Sequence, residues 1–219
     1  MYRLWHSLVA QPAGNRAAFA LGLAAGVVGA IVIMLIASQP PSRHRPDRFQ
    51  RQREIIVFRA ADMPQHGTIV LGDSIVERQR ITELCGLPAF SAGISGAEGA
   101  DITPLVEPVV ALTKPARVVL AIGANDFNSD DPTHVAEFEA EMTRLAADAG
   151  RIDIIVGIPT EKPAYAVSAN AGNEALRRLA MNVGAAFVEF PEARFTRDGL
   201  HLNADGRSEW RRRVDAACR

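Results

Sequence analysis

The chain contains 219 residues, of which 48% are hydrophobic and 22% are charged, and its 24 basic and 25 acidic side chains give a net charge of -1. This length predicts one domain with an appendage rather than two full domains, and the balanced charge argues against a nucleic-acid partner. The 2 cysteines are too few for a disulfide framework or a four-cysteine zinc site, and we expect neither a metal nor a cofactor.

The first predicted element is a membrane anchor. After an N-terminal tail, residues 1–16, the segment 17–37 carries no charged side chain. At about 1.5 Å per residue, a helix of this length can cross a hydrocarbon core of about 30 Å. A buried core helix and a cleaved signal peptide are the alternatives, but a signal peptide usually has an apolar region of only about 7–15 residues. Gly22 and Gly26 have the GxxxG spacing that can pair two such helices into a homodimer.

A short linker and one globular domain follow this segment. Residues 38–47 contain tandem prolines and polar side chains, which predicts a linker, and residues 48–219 remain for the domain. Arginines lie on both sides of the apolar segment: Arg3 and Arg16 before it, and Arg43, Arg45, Arg48, Arg51 and Arg53 after it. Because more of them follow the segment, the positive-inside rule predicts a cytoplasmic domain, although whole domains often cross membranes against such a bias.

The domain itself alternates short apolar runs with segments of helical period. The predicted strands are 68–71, 89–91, 117–122, 152–157 and 186–190. The clearest predicted helix has apolar side chains at Val135, Phe138, Met142 and Leu145, and the last one at Trp210, Val214 and Ala217. This alternation predicts a parallel sheet covered by helices on both faces. Ligands of such sheets bind beyond the carboxyl ends of the strands.

Polar residues follow three of the predicted strands, at the positions where the residues of a ligand site are expected. Ser74 comes directly after the first strand, Gly93 after the second and Asn125 after the third. Each has an ordinary structural explanation, because serine caps helices, glycine forms turns and asparagine satisfies turn backbones.

A fourth polar segment follows the fifth strand. His201 has Asp198 three residues before it, close enough for a loop to hold the carboxylate against the imidazole. His134, at the start of the helix after the third strand, is the weaker alternative among the histidines.

In this order, the four segments resemble the sequence blocks of the SGNH hydrolases, the GDSL-type esterase and lipase superfamily. The matching segments are GDSI at 72–75, Gly93, GAND at 123–126 and DGLH at 198–201, while Ser91 departs from the asparagine that many members carry there. The resemblance implies a flavodoxin-like three-layer α/β/α fold with a five-stranded parallel sheet. It also favours an extracytoplasmic domain, against the charge bias.

The resemblance further implies a role for each block. Ser74 would be the nucleophile, His201 the base and Asp198 the carboxylate that orients the imidazole. The amides of Ser74 and Gly93 and the side chain of Asn125 would form an oxyanion hole. The substrate would be a small-molecule or glycan ester with a small acyl group, because the additional loops of long-chain lipases are not evident. Transfer of an O-acetyl group to or from a sugar, and a non-catalytic membrane-tethered binding module, are the alternatives.

Three further features of the sequence favour ordinary structural explanations. A calcium loop beginning at Asp126 would need glycine at its sixth position, where Asp131 stands instead. The arginines at 211–213 are typical of a solvated helix face. Cys85 and Cys218 could pair only in an exported domain, and the helical pattern around Cys85 favours a small buried hydrophobe.

The border of the pocket is also predicted from the order of the elements. The loop at 159–165, with Tyr165, and the pair Arg194 and Phe195 follow the fourth and fifth strands. We therefore expect these residues at the carboxyl end of the sheet, beside the substrate.

Overall fold

The computed structural model describes residues 48–127, 133–160 and 166–218. The predicted tail, transmembrane helix and linker, residues 1–16, 17–37 and 38–47, lie outside the described residues. Within the described part of the chain, no helix is both long enough and apolar enough to cross a membrane.

A six-stranded sheet forms the centre of the domain. Its strands are β1 (Thr68–Gly72), β2 (Glu83–Leu84), β3 (Leu87–Gly93), β4 (Arg117–Ala121), β5 (Ile154–Val156) and β6 (Ala186–Val188). They lie in the order β2-β3-β1-β4-β5-β6. Five strands are parallel, as expected from their continuous apolar runs, and their relative order is that of flavodoxin-like sheets.

The predicted count of five strands was wrong by one. The additional strand, β2, is two residues long and pairs antiparallel with the beginning of β3. It forms because the chain turns back through Cys85 and Gly86, both of which have positive φ angles. A two-residue strand is too short to show the alternation on which a sequence-based prediction depends.

The helices pack against both faces of the sheet. They are α1 (Arg48–Ala60), α2 (Ser74–Glu77), α3 (Gly99–Thr113), α4 (Thr133–Ala149), α5 (Ala166–Val183) and α6 (Ala204–Ala217), with a 3₁₀ turn at Ala193–Phe195. Phe90 of β3 contacts Arg59 of α1, whereas the next residue, Ser91, accepts a hydrogen bond from the backbone of Ile81. Because successive strand residues point to opposite faces, α1 and the segment after α2 lie on different sides of the sheet.

The apolar faces predicted for two helices are confirmed. Phe138, Met142 and Leu145 of α4 are all buried in the core, as are Trp210 and Val214 of α6. The helix α1, by contrast, was not predicted, because arginine, glutamine and glutamate outnumber its apolar residues and only Ile56 and Ala60 are fully buried.

A disulfide between Cys85 and Cys218 joins the turn after β2 to the end of α6. Their Cα atoms lie 5.4 Å apart, within the range that a disulfide needs. The backbone amide of Cys85 also donates to Asp215 Oδ1 at 2.7 Å. Cys85 is therefore a turn residue in a covalent cross-link, not the small buried hydrophobe of a helix that its surroundings in the sequence suggested.

The arginines at 211–213 are engaged in specific contacts rather than forming a free basic face. Arg212 and Arg213 both donate to Glu209 at 2.7 Å, and Arg213 also reaches Glu192. Arg211 donates to the backbone carbonyl of Gln79, which ties α6 to the segment after α2.

Candidate active site

The predicted nucleophile, Ser74, is the first residue of α2, directly beyond the carboxyl end of β1. All of β1 is buried, and Asp73 caps the helix by accepting a hydrogen bond from the amide of Ile75 at 2.8 Å. The amides of the first turn of a helix have no partner within the helix itself. Ser74 therefore lies with a backbone amide that the helix does not use, at the carboxyl end of β1, where ligands bind in open parallel sheets.

Two glycines allow the backbone segments around Ser74 to approach one another closely. A Cβ atom on Gly72 would lie 2.2 Å from the carbonyl oxygen of Ala121 in β4. One on Gly93 would lie 2.5 Å from the amide nitrogen of Glu77 and 2.8 Å from the carbonyl oxygen of Asp73. Real Cβ atoms do not come this close, so β3 can lie against α2 only because residue 93 has no side chain.

A tight loop carries Asp198 and His201. The amide of Arg197 donates to the carbonyl of His201 at 2.8 Å, and the loop turns at Gly199, whose φ is 79°. Asp198 Oδ1 accepts hydrogen bonds from the amides of Leu200 at 3.1 Å and His201 at 2.7 Å. Immediately afterwards, Asn203 caps α6. The carboxylate and the imidazole are thereby held on one side of the loop.

The structure brings Ser74, His201 and Asp198 into one hydrogen-bonded chain. His201 Nε2 lies 3.1 Å from Ser74 Oγ, and His201 Nδ1 lies 2.8 Å from Asp198 Oδ2. An ionised carboxylate can only accept, so the proton between His201 and Asp198 belongs to Nδ1. Nε2 is then left as the acceptor for the hydroxyl proton of Ser74, which is the arrangement that a general base requires.

Asp198 stays ionised over the whole physiological pH range. Burial acts to raise its pKa, but the hydrogen bonds from the side chain and amide of His201 and from the amide of Leu200 lower the pKa to about 2. The carboxylate is half exposed, so solvent screens part of its interaction with the imidazole. Its charge is nevertheless available to stabilise a protonated His201 during a reaction.

The third predicted oxyanion donor, Asn125, follows β4 and is held by the loop after β3. Its Nδ2 donates to the carbonyl of Ala97 at 2.8 Å. The neighbouring Asp126 accepts from the amide of Gly99 at 3.0 Å, which ties the same two loops together. A primary amide has two hydrogens, so one N–H of Asn125 fixes the side chain and the other can donate to a ligand.

Two buried carboxyl groups stand next to these residues. Burial raises the pKa of Asp73 to about 7, against the hydrogen bond from Ile75, and the nearby charge of Asp126 raises it further. Burial likewise raises the pKa of Asp126 to about 6. Asp73 is not among the site residues predicted from the sequence, and the signal that could have identified it is its position as a helix cap directly after a buried strand.

Replacing Asp73 with asparagine should flatten the pH dependence of stability. Between about pH 4 and pH 7 the native carboxyl of Asp73 holds its proton while the unfolded one, with a pKa of about 3.9, has lost it. Native protein then binds more protons, so its stability falls as the pH rises, by up to about 1.4 kcal/mol per pH unit. Asp73→Asn keeps an acceptor for Ile75 but cannot ionise. Urea unfolding at pH 4 and pH 7 measures the difference.

The control for this prediction is Asp62→Asn, at an exposed position just after α1. That variant should keep the pH dependence of the wild type. An Asp73→Asn protein that loses as much stability between pH 4 and pH 7 as the wild type would contradict the prediction.

Several other predicted residues lie elsewhere. The histidine in contact with Ser74 is His201, whereas His134 lines a separate cavity of about 500 Å³ with Asp126 and Glu137. Phe195 supports the loop of His201, because its carbonyl accepts from the amide of Asn203 at 2.9 Å. The loop residue Tyr165 lies outside the described residues, and so do residues 128–132 of the candidate calcium loop.

Comparison with solved structures identifies the fold. A GDSL-like lipase from Bacteroides thetaiotaomicron superimposes with a TM-score of 0.61 at 17% identity, covering 76% of this chain and 96% of its own. An acetylxylan esterase from Geobacillus stearothermophilus gives 0.58 at 17% identity, over 71% and 95% of the two chains. The lipase/acylhydrolase from Enterococcus faecalis gives 0.56 at 17% identity, over 70% and 94%. No protein-family model and no curated protein matches the sequence.

The domain therefore has the fold of the GDSL-like lipases and acylhydrolases, as the order of the sequence blocks predicted. At this level of identity the likeness establishes the fold, and the chemistry has to be argued from the residues at the site.

Proposed function

We propose that the protein is a serine esterase, which hydrolyses a carboxylic ester through Ser74, His201 and Asp198. The observation that supports this most directly is the hydrogen-bonded chain from Ser74 Oγ through both imidazole nitrogens to the carboxylate. The position of Ser74 at the carboxyl end of a central strand agrees with it.

In the first half of the reaction, Ser74 Oγ attacks the carbonyl carbon of the ester while His201 Nε2 takes the hydroxyl proton. The oxyanion that forms accepts hydrogen bonds from the amides of Ser74 and Gly93 and from the side chain of Asn125. When the intermediate collapses, His201 gives the proton to the leaving alcohol. A water molecule then attacks the acyl group on Ser74, again through His201, and releases the acid.

A fluorophosphonate probe tests this proposal without requiring the natural substrate. Such a probe phosphonylates an activated serine with loss of fluoride, so peptide mass spectrometry should find the label on Ser74. His201→Ala should remove the labelling, because the hydroxyl then has no base. Labelling at another serine, or labelling of Ser74 that does not depend on His201, would contradict the proposal.

Acyl transfer to or from a sugar, such as movement of an O-acetyl group, uses the same residues and remains the second candidate. The choice between water and a sugar hydroxyl as acceptor depends on how well the pocket excludes water. Product formation that requires an added sugar would favour transfer, whereas release of acid in buffer alone supports hydrolysis. A binding module without catalysis predicts neither product. The small acyl group that the sequence favours stays a prediction.

For the location, we propose a membrane-anchored protein whose catalytic domain lies on the oxidising side of the membrane. The disulfide between Cys85 and Cys218 supports this side, because such bonds persist outside the reducing cytosol. The disulfide thus argues against the cytoplasmic domain that the arginines after residue 37 predict.

Thiol trapping in cells tests the location. Cells that express the full chain are quenched with acid, and the denatured protein is alkylated with a polyethylene-glycol maleimide. The mass should increase only when a reductant is added before alkylation. Addition of two maleimides without reductant would place the domain in a reducing compartment.

A further inference from the structure

Asp73 and Trp210 each carry a buried polar atom for which the described part of the chain provides no hydrogen-bond partner. Each residue is only 1% exposed. Asp73 Oδ1 caps α2, and the amide of Ala124 acts to lower the pKa of the carboxyl, but neither Asp73 Oδ2 nor Trp210 Nε1 is bonded to any residue that the structure describes. Buried polar groups in native proteins are nearly always hydrogen-bonded, because their lost hydration is otherwise uncompensated. The space beside these two atoms is therefore a candidate site for a small polar molecule.

Both residues line the same small cavity, which lies at the carboxyl ends of β4 and β5. Its volume is about 10 Å³, close to the smallest volume that holds one water molecule. The other residues that the structure places in its lining have side chains that are apolar or absent. A buried water molecule needs at least two polar partners, and the side chains of Asp73 and Trp210 supply them.

We propose that one water molecule occupies this cavity and joins Asp73 Oδ2 to Trp210 Nε1, and that this water bridge positions Ser74 relative to His201. The positioning half of the inference rests on the proposed function. Water accepts the indole hydrogen, and it either donates to an ionised carboxylate or accepts from a protonated carboxyl group. The bridge therefore persists when Asp73 ionises, although burial raises the pKa of Asp73 to about 7.

The water bridge joins the helix of the nucleophile to the helix that follows the base. Asp73 caps α2, whose first residue is Ser74, whereas Trp210 belongs to α6, which begins directly after the loop of His201. The 3.1 Å between Ser74 Oγ and His201 Nε2 depends on how these two helices are placed. A hydrogen-bonded link between their buried sides fixes that placement and keeps the hydroxyl within reach of its base.

A direct contact holds the other end of the same segment. Arg211, the residue after Trp210, donates to the carbonyl of Gln79 at 2.6 Å. Adjacent residues of α6 thus reach both ends of the segment 73–79, one through water and one directly. Loss of the indole hydrogen leaves only the contact at Gln79, which lies beyond the end of α2, so that Ser74 gains freedom to move relative to α6.

The first test detects the water molecule and does not depend on catalysis. The chain has 2 tryptophans, Trp5 and Trp210, so a nitrogen-labelled tryptophan in the Trp5→Phe chain gives one indole signal. In the full-length chain in detergent micelles, this indole hydrogen should show a nuclear Overhauser effect to water at short mixing times.

Asp73→Asn is the control for relayed magnetisation. Its side-chain amide can still donate to the water molecule, but it has no acidic proton that exchanges rapidly with solvent. The Overhauser effect from the indole of Trp210 to water should therefore persist in this variant. Absence of the effect from either protein would overturn the water bridge.

The second test removes the indole hydrogen without changing the shape of the ring. Benzothienylalanine has sulfur in place of the N–H of tryptophan, whereas fluorotryptophan keeps the N–H and is the conservative variant. With benzothienylalanine at position 210 of the Trp5→Phe chain, kcat for a p-nitrophenyl ester should fall about tenfold while KM stays within about twofold. Fluorotryptophan at the same position should restore kcat.

The same pair of proteins is then compared in the phosphonylation of Ser74 by a fluorophosphonate, which should also be about tenfold slower with benzothienylalanine. Equal kcat and equal labelling rates for the two analogues would overturn the positioning role, even if their unfolding temperatures differ. Failure of the esterase gives a different result, because Ser74 then stays unlabelled in the unsubstituted chain as well. That result would overturn the positioning role together with the proposed function, whereas the Overhauser effect decides the water bridge by itself.

Discussion

Replacing Ser74 with alanine is expected to lower kcat for ester hydrolysis by about 10⁴- to 10⁶-fold, because no acyl-enzyme can form without the hydroxyl. Ser74 Oγ is the group at hydrogen-bond distance from His201 Nε2. The residual rate comes from binding and the oxyanion donors alone. Steady-state hydrolysis of a p-nitrophenyl ester by the full-length chain measures the loss.

The fold of this variant should be unchanged, since the cap of α2 is made by Asp73 rather than by the serine side chain. Ser208→Ala is a matched control on the exposed side of α6, where the hydroxyl only returns to a carbonyl of its own helix. That variant should keep the wild-type kcat. If Ser74→Ala hydrolyses the ester at more than about one hundredth of the wild-type rate, another nucleophile carries the reaction.

The candidate site combines residues that are far apart in the chain. Their proximity could nevertheless be predicted from the topology of the sheet. Parallel strands place their carboxyl ends at one edge of the sheet, so residues that follow β1, β3, β4 and β6 must converge there. The strands were recognisable because they are buried on both faces and read as continuous apolar runs, for example at Val118, Val119 and Leu120.

Two features could not be predicted, for different reasons. β2 forms only because a two-residue turn brings it back onto β3, and its length is below what periodicity can detect. The pairing of Cys85 with Cys218 requires the end of α6 to reach that turn. The hairpin of β2 is local but too short to recognise, whereas the disulfide depends on a contact distant in sequence.

The helix α1 shows the same limit most clearly. Its few buried positions, Ile56 and Ala60, lie among charged residues, and the partner they pack beside, α3, is about 40 or more residues away in the chain. The environment of Asp73 is a related case. Its pKa is raised to about 7 by complete burial and by Asp126, and a sequence shows neither burial nor the distance between two carboxyl groups.

A different test is needed for Asn125, which we propose as an oxyanion donor. One of its N–H groups is already used, because Nδ2 donates to the carbonyl of Ala97 at 2.8 Å. That bond holds the amide plane in place, so the second N–H has a fixed direction. A donor that is oriented before the substrate binds does not have to reorganise when negative charge develops.

Asn125→Ala is therefore expected to lower kcat by about 100- to 1,000-fold, which corresponds to about 2.7–4 kcal/mol of transition-state stabilisation, with little change in KM. Asn125→Asp should lose at least as much, because a carboxylate cannot donate and repels the oxyanion. Asn173→Ala provides the contrast. The side chain of Asn173 is buried and bonds both backbone groups of Ile158, so its loss should lower the thermal stability but leave kcat of the folded protein unchanged.

The comparison of kcat with thermal stability in these three variants separates catalysis from folding. An oxyanion donor predicts a large loss of kcat for both variants of Asn125 with unfolding temperatures close to that of the wild type. A purely structural asparagine predicts that Asn125→Ala behaves as Asn173→Ala does, with lowered stability and normal kcat. If that second pattern is observed, the bond from Asn125 to Ala97 is a loop contact, and the amides of Ser74 and Gly93 must stabilise the oxyanion without it.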